Sequence, residues 1–152
     1  MSVPPDDILI EHAVAWALEQ LGSRDYAFKC LGFVEDAYEL GNAIVLDGYA
    51  YAKEAAEAYG AAEHPGLPPR GALACYDCSG SIGSEQRNWG HIGLSLGDGR
   101  VIHAWGVVRV DDYLAIQELP NAPGWTAPRY IGWAPLERVL VGARITASAR
   151  MR

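Results

Sequence analysis

Gly90-His91-Ile92-Gly93-Leu94-Ser95-Leu96-Gly97-Asp98-Gly99-Arg100-Val101-Ile102-His103-Ala104 alternates apolar residues with small or polar ones on both sides of a glycine-flanked aspartate. Alternation with period two is a strand signal and Gly-Asp-Gly a turn signal, so the stretch predicts a β-hairpin. The first arm puts His91, Gly93 and Ser95 on one face and Ile92, Leu94 and Leu96 on the other. On the return arm, residues 100–105, Val101, His103 and Trp105 share a face. A three-residue turn (Gly97, Asp98, Gly99) sets Leu96 opposite Arg100 and His91 opposite Trp105. His103 then lies diagonal to His91 on the same face, within the ~7–8 Å reach of such pairs. A two-residue Asp-Gly turn shifts the register by one and sends the two histidines to opposite faces. The expectation is therefore a three-residue turn with a glycine in the left-handed position.

Around this hairpin the sequence changes period. Residues 72–76 read as a short strand before it, residues 107–110 as a further strand after it, and residues 130–133 and 139–145 as two late strands. Residues 77–89 are polar and glycine-rich and read as a loop. The N-terminal part carries helical spacing instead. Pro5-Asp6-Asp7 opens a helix with an acidic residue as cap, Leu9, Ala13, Trp16, Ala17 and Leu21 mark its apolar face, and Gly22 stops it. His12 on this helix reads as structural or solvent-facing. A second helix over residues 30–40 presents Cys30, Phe33, Val34, Ala37 and Tyr38 on one face, turns Glu35, Asp36 and Glu39 to water, and closes at Gly41. An alanine-rich third helix fits residues 49–59, ended by Gly60. The stiff segment His64-Pro65-Gly66-Leu67-Pro68-Pro69-Arg70-Gly71 joins helices to strands as a loop, since neither side is long enough to be a separate domain. The layout is α+β, with N-terminal helices packed on a C-terminal antiparallel β-sheet in a single domain, residues 1–152.

About half of the 152 residues are apolar and a fifth are charged, with a net charge of −7. That is enough to form a core without disulfides or a metal. The acidic balance disfavours nucleic acid and anionic membrane surfaces as partners. No run reaches the ~18 apolar residues that a membrane helix needs, so no membrane span is expected. The N-terminus lacks the basic region and small-residue cleavage site of a secretory signal. These features predict a cytoplasmic protein, one exported by a route other than general secretion, or one whose leader lies outside these residues. A monomer is expected. Three cysteines leave at least one thiol free.

Lys29-Cys30-Leu31-Gly32-Phe33-Val34 places a cysteine in the first turn of the second helix. The thiolate is the nucleophilic form, and helix-terminal amides favour it. A catalytic Cys30 is therefore expected to react quickly with iodoacetamide near neutral pH. His91 supplies a base for the thiol proton and His103 a partner that orients His91.

These residues resemble the NlpC/P60 family of papain-like cysteine peptidases, close to the CHAP amidases. The resemblance runs roughly over residues 16–135. It rests on Cys30-Leu31-Gly32-Phe33-Val34, on Pro69-Arg70-Gly71-Ala72-Leu73, and above all on the hairpin of residues 90–104. It implies a papain-like fold and a Cys-His-His triad with Cys30 as nucleophile, His91 as general base and His103 as orienter. It also implies a substrate of peptide type, the amide bonds of peptidoglycan stem peptides, and no cofactor. Tyr26, Trp89 and Trp105 are the candidates for lining the substrate groove.

The family's nucleophile usually reads Asp-Cys-Ser-Gly, and that string stands here at Asp77-Cys78-Ser79-Gly80. Cys78 is rejected as nucleophile because it follows a strand, has no helix behind it, and lies too near His91 in the chain. A zinc site on Cys75, Cys78, His91 and His103 is also rejected, because the histidines are spaced too widely for a zinc finger. Two other functions remain open: a non-catalytic binding module on the same fold, and an amidase or acyltransferase acting on something other than peptidoglycan.

Overall fold

The computed structural model describes residues 3–146. Helix α1 (Asp6–Glu19) starts on Pro5, whose carbonyl takes the amides of Ile8 and Leu9. Asp6 and Asp7 are not the cap. They lie inside the first turn, where their charge favours the helix dipole. Leu9, Ala13, Val14 and Ala17 are buried, whereas Leu21 lies beyond the helix end and is exposed. Helix α2 (Cys30–Asn42) buries Leu31, Phe33, Val34, Ala37 and Tyr38. It has no side-chain cap at its start. Burial of Phe33 alone contributes about 1.5–3 kcal/mol, more than the ~1 kcal/mol a cap supplies, so packing holds this helix.

Gly41 does not close α2. The helix runs through it to a left-handed Ala43. A Cβ on Gly41 would stand 2.8 Å from the carbonyl oxygen of His12 and 3.3 Å from Cα of Ala13. The glycine thus serves close approach of α1 and α2 rather than a stop. His12 is exposed and bonds Asn42 across the same contact at 3.0 Å. Glu35, Asp36 and Glu39 are half-buried rather than turned to water. Glu39 accepts the amide of Leu46 at 2.9 Å, and Glu35 that of Tyr49 at 3.4 Å. Burial pushes the Glu35 carboxyl up to about 7.

Strand β1 (Ile44–Val45) leads to helix α3 (Ala52–Ala58), shorter than residues 49–59 because Tyr51 is extended and caps it. Then come β2 (Leu73–Asp77), β3 (Ser79–Ile82), β4 (Glu85–Asn88), β5 (His91–Gly97), β6 (Arg100–Trp105), β7 (Val107–Asp112), β8 (Arg129–Ala134), helix α4 (Leu136–Val139) and β9 (Arg144–Ile145). The main sheet is antiparallel, in the order β7-β6-β5-β2-β8. The α+β layout is therefore as expected. Helix α2 packs on β5 and β6. Ile92, Leu94, Leu96, Ile102 and Ala104 face the helices in the main core, and Ala74, Tyr76, Val101 and Ile116 form a smaller cluster. None of the helices described is long and apolar enough to cross a membrane.

Three further expectations fail. Residues 77–89 are not a loop: β3 and β4 form a hairpin around Gly83. Side chains from elsewhere hold it, since Asp77 accepts from Lys53 Nζ at 2.8 Å and Asn88 Nδ2 at 2.6 Å. Residues 139–145 are not one strand: Pro135 starts α4, and only β9 pairs, with β1. The turn at the β5–β6 hairpin is not three residues long. Gly97 pairs with Arg100 across a two-residue Asp98-Gly99 turn, both with positive φ as a type I′ turn demands. A bulge between Ser95 and Gly97 takes up the missing residue. Ser95 still pairs with Val101 and Leu94 with Ile102, the register that the three-residue turn required.

Candidate active site

The register puts His91 and His103 on one face. Gly93 stands between them on that face, and a Cβ there would lie 2.4 Å from Val101 Cγ1 and 2.9 Å from His103 Cβ. Only glycine lets the two arms close. His91 Nε2 then lies 2.8 Å from His103 Nδ1. Both rings are buried, His91 with 3% of its surface exposed and His103 with none. Trp105 stands edge-on to His91 at 5.0 Å and Tyr76 flanks it at 5.9 Å. Burial, then the neighbouring His103, holds His91 well below the ordinary imidazole value. Burial also lowers His103, against the pull of a carboxylate behind it.

That carboxylate is Asp111, which sequence reading did not find. His103 Nε2 lies 2.8 Å from Asp111 Oδ2. Arg109 clamps the same carboxylate with two bonds, at 2.7 and 3.0 Å. Arg109 pairs with His103 across β6 and β7, and Asp111 follows two residues on, on the same face. The signal was there in the alternation of Arg109-Val110-Asp111. It was missed because the strand was ended at Val110.

Cys30 is the first residue of α2, as expected. The backbone amides of Ile92, Leu31 and Cys30 act on its sulfur and favour the anion. Ile92 directly follows His91, so helix start and strand start meet here. No hydrogen bond joins the sulfur to an imidazole nitrogen among the described residues. Burial outweighs the three amides and pushes the thiol up to about 11. This overturns the expectation of a thiol acidified by its helix. Thiol and imidazole are both neutral at rest.

The three aromatic candidates separate. Trp105 touches His91, and its Nε1 donates to the Pro120 carbonyl at 3.2 Å. Trp89 braces the β3–β4 hairpin: its Nε1 donates to Gly80 O at 3.0 Å, and its ring meets Tyr51 and the Arg87 guanidinium. Tyr26 packs edge-on against Trp16 and Phe33 and donates to Asp36 at 2.6 Å. It supports the loop before Cys30. Cys75 is fully buried, its thiol donating to Leu73 O at 3.5 Å. Cys78 lies at the base of the hairpin, its thiol donating to Thr126 O at 3.6 Å.

No protein-family model matches this chain, and a search of curated proteins finds no match either.

Proposed function

We propose that the protein is a thiol hydrolase of NlpC/P60 type, on a papain-like fold, that cleaves an amide bond through an acyl-enzyme. The observation that carries this reading is Cys30 at a helix start, set against the main chain that bears His91, with His91 bonded to His103. A lone cysteine or histidine has many structural uses. A cysteine bathed in backbone amides beside a buried, oriented imidazole pair has few others.

In this reading His91 Nδ1 takes the thiol proton as Cys30 Sγ forms a bond to the substrate carbonyl carbon. The carbonyl π pair moves onto oxygen, and the Cys30 amide donates to that oxyanion. The oxyanion collapses, the C–N bond breaks, and His91 gives its proton to the leaving amine. Water then attacks the thioester, with His91 again as base, and the acid and free thiol are released. Because both partners rest neutral, proton transfer accompanies attack rather than preceding it. Stem peptides of peptidoglycan are the proposed substrate.

The test is digestion of purified peptidoglycan by wild type, Cys30→Ala and Cys78→Ala. Wild type and Cys78→Ala should release muropeptides, and Cys30→Ala should fall by at least about a thousandfold. Full activity in Cys30→Ala with loss in Cys78→Ala would overturn the assignment. If no muropeptide appears with any of the three, the substrate class is wrong.

A further inference from the structure

The hydrogen-bond chain behind His91 has a direction, and its far end sets it. Asp111 Oδ2 accepts from Arg109 Nε at 2.7 Å and Oδ1 from Arg109 Nη2 at 3.0 Å. Burial pushes the Asp111 carboxyl up, but its bonds to Arg109 and His103 win and hold it below the ordinary carboxylate value. It is therefore ionised at neutral pH and can only accept. His103 Nε2, 2.8 Å from Oδ2, must carry a proton. Both imidazoles are held below their ordinary value, chiefly by burial, so neither carries a second proton at neutral pH. His103 Nδ1 is then bare. His91 Nε2, 2.8 Å away, must be the donor to it. That leaves His91 Nδ1 as a bare lone pair, and it has no partner among the described residues.

We infer that Asp111, clamped by Arg109, is a positioning residue that fixes both histidines as Nε2–H tautomers and so makes His91 Nδ1 the base. Remove the acceptor at the end of the chain and nothing dictates which nitrogen of His103 holds the proton. His103 can then turn its Nδ1–H toward His91, which moves the His91 proton to Nδ1 and blocks the base. Asp111 has a second effect. When one proton passes from Cys30 Sγ to His91 Nδ1, the pair becomes cationic, and the carboxylate behind it stabilises that charge without any proton moving to Asp111. The tautomers follow from the hydrogen bonds and from the two rings being neutral. Only their effect on rate rests on the reading of Cys30 as nucleophile.

Long-range ¹H–¹⁵N correlation spectra of the imidazoles test this directly. The groups facing the pair are Tyr76 from β2, Trp105 on β6, and Arg109 and Asp111 from β7. Wild type should show two Nε2–H tautomers, unchanged down to about pH 6.5. Asp111→Ala should show mixed tautomers and lose about a hundredfold in the rate of muropeptide release. An Nδ1–H signal on either histidine in wild type overturns the inference, as does Asp111→Ala with tautomers and rate unchanged. The wild-type spectrum decides the tautomers even if a variant fails to fold. If wild type cuts no peptidoglycan, the proposed function fails while the tautomer result stands.

Discussion

Cys30 and Cys78 border the same short segment, Trp89 to Ile92, from two sides, and they meet it with opposite parts of the residue. Cys78 offers its carbonyl, which takes the amides of Trp89 and Gly90 at 3.0 and 3.1 Å. Its sulfur turns away, donates to Thr126 O, and receives Asn121 Nδ2 at 3.8 Å. Cys30 offers its sulfur, and the amides of Ile92, Leu31 and Cys30 act on it. A carbonyl acceptor stabilises a thiol, and amide donors stabilise a thiolate. The string Asp-Cys-Ser-Gly at residues 77–80 thus sits on a cysteine built into a hairpin base, while the cysteine without that string has three backbone amides at its sulfur, outweighed by burial. Charge on Cys78 opposes ionisation of Cys30, a minor effect beside burial.

The widest gap between them should appear in alkylation. Cys30 is half-buried, whereas Cys75 and Cys78 are buried. Iodoacetamide on the folded protein, read by peptide mass spectrometry, should label Cys30 at least about a hundredfold faster than the others. Since burial lifts the Cys30 thiol to about 11, its thiolate fraction rises with pH. The rate should climb about tenfold per pH unit from neutrality toward that value, rather than being fast at pH 7. Cys78 labelled first would break the comparison.

How much of this was readable depends on what held each element. The β5–β6 register was legible because Ile92 and Leu94 must share a buried face with Ile102 and Ala104. That demand is strong enough that a bulge at Leu96 absorbs the shorter turn. Cys30 at the start of α2 was legible from helical spacing alone. The β3–β4 hairpin was not, because its strands are polar and are held by Lys53 and Asp77 from outside the hairpin. Asp111 was not, because the alternation that reaches it, Arg109-Val110-Asp111, does not tell that His103 lies across the sheet from Arg109. The raised Cys30 thiol was not, because the helix-end amides can be read locally while burial cannot.

Each cysteine also has a supporting glycine, and the two should differ in what they tolerate. Gly41 holds α2 against backbone atoms of α1. Gly80, two residues after Cys78, lies under the Trp125 ring, so a Cβ there meets side-chain atoms only. In an exposed helix Gly→Ala gains up to about 1 kcal/mol. At Gly41 overpacking against backbone costs about 1–3 kcal/mol and should win. Gly41→Ala should therefore lower Tm by a few degrees, roughly 2–4 °C per kcal/mol in a chain of this size. Gly80→Ala should shift Trp125 and its loop with a smaller change. A Gly41→Ala protein more stable than wild type would show that α2 is not fixed by this contact.

The smallest effect concerns the approach to each cysteine. Cys78 follows directly on strand β2. Cys30 is approached through Phe28, which takes a left-handed φ of 63° and leaves 97% of its surface exposed. A bulky residue in that region costs about 1–2 kcal/mol, and with the ring in water no burial offsets it. Phe28→Gly removes the strain but adds about 0.5–1 kcal/mol of unfolded-chain entropy. The strain is the larger, so the variant should be more stable by about 0.5–1 kcal/mol, read as a higher midpoint in urea at unchanged m. A stabilised variant that releases muropeptides more slowly would mean that the strain serves the Cys30 rim, as strained residues at functional sites do. A destabilised variant would mean that the ring makes contacts in solution, and the rim would then be as ordinary as the strand before Cys78.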